Sequence, residues 1–82
     1  MKAYVIATDV SLRWLRPSYR RKVRESGAIG FNIIEKYLYI YYKDPKERAQ
    51  GLEMLRDLAE FNVIKEEVEI DDNFIEVKKN GN

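Results

Sequence analysis

The chain has 82 residues, a net charge of +1, 35% charged side chains and neither cysteine nor histidine. That length makes one small domain, which buries roughly 60% of the surface its unfolded chain exposes. The missing residue types exclude a disulfide framework, Ser-His-Asp and Cys-His nucleophilic machinery and the usual zinc sites. A non-enzymatic protein without a cofactor is therefore expected.

No stretch reads as a membrane span, since the longest apolar run near the start is only Ala3 to Ala7. None has the basic, apolar and small-residue regions of a signal peptide, so a cytoplasmic protein is expected. High charge, a single Gln and no Cys lean towards a thermophilic source. The charge is unevenly spread: residues 1–43 carry +6 and residues 44–82 carry −5. Such a division fits a polyanion-binding face, an internal charge match or head-to-tail association.

In chain order, Lys2 to Thr8 reads as a strand, with Tyr4 and Ile6 on one side and Ala3, Val5 and Ala7 on the other. Asp9 and Ser11 offer turn or cap chemistry. Residues 12–26 form a basic helix in two parts, because Pro17 suits only a first helical position. Leu15, Tyr19 and Val23 share its apolar stripe, Arg16, Arg20 and Arg24 a neighbouring one, and Ser26-Gly27 ends it. Trp14 reads as a packing anchor.

Ala28 to Ile34 is a second strand, joined near Glu35-Lys36 to a third, Tyr37-Leu38-Tyr39-Ile40-Tyr41-Tyr42. Alternation places Tyr37, Tyr39 and Tyr41 on one face, and Leu38, Ile40 and Tyr42 on the core side. Asp44-Pro45-Lys46-Glu47 starts a second helix, which runs to about Phe61 and buries Ala49, Leu52, Leu55 and Ala59. Gly51 inside it points to close packing against the sheet. Val63 to Ile70 is a further strand, with Ile64, Val68 and Ile70 inward. Asp71-Asp72-Asn73 is a turn, and Phe74 to Lys78 a short returning strand. The fold class expected is α+β: a ferredoxin-like βαββαβ sandwich with an antiparallel sheet, both helices on one face and an extra C-terminal strand. Residues 1–78 make the single domain and 79–82 a frayed tail.

The stretch Tyr39-Ile40-Tyr41-Tyr42-Lys43-Asp44-Pro45, with Ala49 beyond it, resembles the third strand and second helix of the RNA recognition motif (RRM) family. Glu25-Ser26-Gly27-Ala28-Ile29 is similar to that family's first-helix exit, and the likeness covers roughly residues 3–70 by segment order. Lys36 stands where the family prefers glycine, and the first strand lacks its usual Asn. The resemblance implies that Tyr37, Tyr39 and, on the first strand, Tyr4 stack bases.

On the residues alone, an uncovered sheet face bearing Tyr37, Tyr39 and Tyr41 would suit single-stranded nucleic acid, RNA before DNA. Lys2, Arg13, Arg16, Lys36 and Lys43 would meet phosphates. Two alternatives accompany this reading. The tyrosine face could instead be covered, either buried in a homodimer that acts as a protein-interaction module or partly overlaid by the Phe74 to Lys78 strand. Asp9, directly after the first strand, resembles the metal-binding aspartate of small CRISPR-associated nuclease-like adaptation proteins, whose dimers pair two such residues; as an ordinary residue it reads as a turn or cap. The arginine stripe fits either a second polyanion site or a solvated face paired with Glu66, Glu67 and Glu69.

Overall fold

The computed structural model describes residues 1–9, 16–71 and 73–76. Its elements are β1 (Lys2–Asp9), α1 (Pro17–Glu25), β2 (Gly30–Ile34), β3 (Tyr37–Tyr42), α2 (Pro45–Leu55), β4 (Asn62–Glu69) and β5 (Ile75–Glu76). The five strands form one sheet in the order β4-β1-β3-β2-β5, and every pairing is antiparallel. The protein is thus an α+β fold of an antiparallel sheet and two helices. Arg13, Trp14 and Leu15, and the expected tail at 79–82, lie outside the described residues.

Alternation along β3 divides the molecule into two apolar clusters. Leu38, Ile40 and Tyr42 pack with Ile6 of β1, Val23 of α1 and Leu55 of α2, so both helices cover this side. Tyr41 points the other way and packs with Ala3, Val5 and Ile70, flanked by Tyr39, Ile64, Val68 and Phe74. Ile64 and Val68, expected to face inward, therefore belong to the cluster on the side without helices.

Local chemistry sets the helix ends. Pro17 opens α1, and Gly27, at φ +90°, follows its last turn in the left-handed region that glycine adopts freely. The Asp44 carboxylate accepts the Glu47 N–H at 2.8 Å and caps α2, with Pro45 in the first turn. This helix ends at Leu55 rather than Phe61, closed by the Leu58 N–H on the Leu55 carbonyl. Its buried positions are Gly51 and Leu55, while Ala49 is exposed and Ala59 lies beyond the helix. The stripe is displaced because Gly51 must meet the sheet: a methyl there would collide with the hydroxyl and ring of Tyr42.

Tyr42 anchors the core. It is fully buried, and its hydroxyl lies 2.9 Å from that of Ser26, which itself donates to the Val23 carbonyl at 2.6 Å. Ser26 has one proton to give, so Tyr42 is the donor in their bond. Burial pushes the Tyr42 phenol up to about 12.

Two irregularities shape the sheet. Glu35, in the two-residue connection from β2 to β3, has φ +57°, a conformation that favours Asn or Gly. In β4, Ala3 faces Val68 and Val5 faces Ile64, so Lys65, Glu66 and Glu67 stand opposite Tyr4 alone. Arg48 of α2 bridges this bulge, giving a hydrogen bond to the Ile64 carbonyl at 2.7 Å and lying over the Tyr4 ring at 5.5 Å.

Candidate nucleic-acid interface

Side chains on the sheet face away from the helices lie in rows across the strands. At one end Asp9, Tyr37 and Ile34 stand side by side. The next row is Asn62, Ala7, Tyr39 and Asn32, and the third is Ile64, Val5, Tyr41 and Gly30. Rows lie about 7 Å apart, two residues along a strand.

A change of cover runs down these rows. β4 is at one margin of the sheet and β5 at the other, so the chain between them must cross over β1, β3 and β2. Ile70 and Phe74 of this crossover pack on the third row, and Phe74 meets Tyr41 edge to face with ring centroids 5.7 Å apart. Tyr41 is left 5% exposed, whereas Tyr37 is 42% exposed and Tyr39 is half-buried. The expected row of three rings is therefore a row of two, since no base can reach Tyr41 beneath Phe74.

Tyr4 is a second correction. Its register partner is Tyr42, so it points to the helix side, where Arg48 covers its ring. A strand turns alternate residues to opposite faces, and Tyr4 is in phase with Ile6, not with Ala3 and Val5. It cannot share a stacking surface with Tyr37 and Tyr39.

The expected phosphate contacts are scattered. Lys36 is exposed beside Tyr37 in the β2–β3 connection, and Lys43 is exposed at the far end of β3, roughly 20 Å away by strand rise. Lys2 is in phase with Tyr4 and pairs in register with Glu69. Arg16 precedes α1 in the helical layer, and Arg13 lies outside the described residues. Among the described ones, Lys36 alone adjoins the open part of the tyrosine row.

The amides of the second row were not among the expected site residues. Asn32 donates to the Tyr41 hydroxyl at 3.1 Å, leaving its carbonyl oxygen and one N–H for other partners. Asn62 is exposed on the same row. Period-two alternation already put Asn32 in phase with Ile34, and that signal could have found it.

Past the first row lies an open depression of about 570 Å³ lined by Thr8, Asp9, Tyr37, Glu60 and Asn62 among others. Thr8 gives its hydroxyl proton to the Glu60 carbonyl at 2.7 Å, fastening the approach to β4 onto β1. Asp9 is exposed there, and among the described residues no group of three or more carboxylates is placed to hold a metal ion.

Comparison with known proteins finds no matching family model, no matching curated protein and no matching solved structure.

The strongest charge feature is α1. Arg16, Arg20, Arg21, Lys22 and Arg24 are all exposed, and Glu25 is the one acidic residue of the helix. The ion pairs between described residues are Met1 ammonium with Glu69 and Arg56 with Glu53, so none involves these cations. The pairing expected with Glu66, Glu67 and Glu69 is not seen. Arg16, Arg20 and Arg24 repel one another at four-residue spacing, at a cost of about 0.2–0.5 kcal/mol per pair.

Proposed function

We propose that the chain is a non-enzymatic nucleic-acid-binding domain of the ferredoxin-like type, taking unpaired bases of RNA or DNA on Tyr37 and Tyr39. The element order β-α-β-β-α-β and the strand order β4-β1-β3-β2 support the fold assignment. The carrying observation for the function is that, of two neighbouring phenol rings on the helix-free face, Tyr37 is exposed and Tyr39 is half-exposed, with the amides of Asn32 and Asn62 in the second row. Rings stack on any base, and amides bond to base edges.

Magnitude sets the expected strength. Two stacked bases contribute about 2–6 kcal/mol together, and Lys36 adds one phosphate contact. Such a site alone binds at high micromolar levels or weaker. Fluorescence anisotropy with a labelled single-stranded oligonucleotide, at 50 mM salt, tests the reading. Tyr37→Ala with Tyr39→Ala should lower affinity at least 30-fold while circular dichroism shows an intact fold. Affinity kept in that double variant would end this proposal.

One observation favours a second reading. Ile34, 55% exposed, adjoins Tyr37 on the same face, and an exposed aliphatic side chain adds little to base stacking. Two copies packed through this row would bury both. On that reading the same double variant converts a dimer into a monomer in light scattering, with no nucleic acid present.

A further inference from the structure

We infer that the outer face of α1 is a second contact surface, which binds the phosphate backbone of duplex nucleic acid. This inference does not rest on the tyrosine face. It rests on the charge pattern of a helix whose inner side is accounted for by the core.

Val23 is buried and Tyr19 half-buried against the helix-side cluster, which fixes the rotation of α1. Arg21 and Arg24 then point outward, Arg20 lies on one flank, where it also lines a small cavity with Val23, Phe31, Ile33 and Leu38, Lys22 lies on the other flank, and Arg16 stands at the entry. None of the five has a carboxylate within ion-pair distance among the described residues. The first turn holds no acidic residue, so cations stand where the helix dipole favours anions. Like charges recur at Arg16, Arg20 and Arg24, about 6 Å apart along the axis. Lys22 and Arg24 suit the dipole in the last turn, but the repulsion within the Arg16-Arg20-Arg24 row and the cations near the first turn are relieved by a line of negative charge laid along the helix.

The dimensions favour a duplex backbone. Nine residues span about 13 Å, and one duplex strand presents a phosphate every ~3.4 Å of axis, so roughly four phosphates of a strand fall within the length of the helix. The one aromatic ring of α1, Tyr19, packs towards the core instead of joining the cations. The surface reads charge and not sequence.

A labelled 20-base-pair duplex of arbitrary sequence, followed by anisotropy between 50 and 200 mM salt, tests the inference. Four phosphate contacts predict a fall in affinity of about 100-fold over that range, at about 0.9 in log K per contact and per decade of salt. Arg20→Gln with Arg24→Gln should reduce the fall to about tenfold and weaken binding at 50 mM by at least tenfold. Removing two other exposed cations, through Arg56→Gln and Lys65→Gln, should leave the duplex affinity and its salt dependence unchanged. The arginine variant lightens like-charge repulsion on an exposed face, so its thermal unfolding should match or exceed that of the parent.

The inference is overturned if the parent does not bind the duplex at 50 mM salt. It is equally overturned if the two pairs of substitutions weaken binding alike. Self-association lost in the arginine variant, with no duplex bound by either protein, would assign the stripe to the acidic residues of another copy. Any of these failures leaves the tyrosine proposal standing, because that is read with single-stranded oligonucleotides and different residues.

Discussion

Phe74 stands edge-on to Tyr41, with ring planes at 85° and centroids 5.7 Å apart, and this contact decides how many tyrosines of β3 meet solvent. The crossover that carries Phe74 turns half of an apolar sheet face into a second small core. The other half keeps Tyr37 and Ile34 outside it, with Tyr39 half-buried at its margin.

Replacing Phe74 by Ala should therefore have two effects at once. Stability should fall by about 1–3 kcal/mol, since an aromatic pair contributes about 0.5–1.5 kcal/mol beyond the area it buries. Urea unfolding measures that loss. Tyr41 should also become reactive to N-acetylimidazole, which mass spectrometry of its peptide would record, whereas in the parent protein it stays protected.

Gly51→Ala should destabilise the protein, although Ala favours a helix over Gly by about 1 kcal/mol. The added methyl would fall on the hydroxyl and ring of Tyr42, which is fully buried and hydrogen-bonded to Ser26. Overpacking of this kind costs about 1–3 kcal/mol, so a net loss in thermal or urea unfolding is expected. A gain in stability would show that α2 can move away from β3.

Tyr42 should also leave a mark at high pH. Its phenol is raised from 10.0 to about 12 by burial, so the folded state holds that proton more tightly than the unfolded chain. The stabilisation is fully present below about pH 10 and is lost as the pH rises through about 12. A shift of that size corresponds to about 2–3 kcal/mol. Urea unfolding at pH 9 and pH 12 would measure it against Tyr42→Phe. The variant should start about 1 kcal/mol lower, for its lost hydrogen bond, and fall less steeply.

The strand pattern of the sequence carried more of this structure than its helix pattern did. Alternation in Tyr37–Tyr42 assigned each side chain to its observed face, and Asp44-Pro45 marked the start of α2 at the right residue. Ala49 was misplaced because a two-turn apolar spacing allows several helix rotations, and only the close approach of Gly51 to Tyr42 selects one. Tyr4 shows a limit of another kind. Its alternation with Ile6 was legible, but which side of β1 meets the helices depends on pairing with Tyr42 across the sheet. The burial of Tyr41 was legible only as one option, cover by the segment from Phe74, because the choice follows from the path of the chain between β4 and β5.

The bulge in β4 has a consequence for how copies of the protein can meet. Lys65, Glu66 and Glu67 form a charged hump on the outermost long strand, and an incoming strand would have to strip water from all three to continue the hydrogen-bond ladder. At the opposite margin the described part of β5 pairs with Gly30 and Phe31. Lateral extension of the sheet is thus disfavoured at the β4 margin, so copies that meet edge to edge are turned away from that strand.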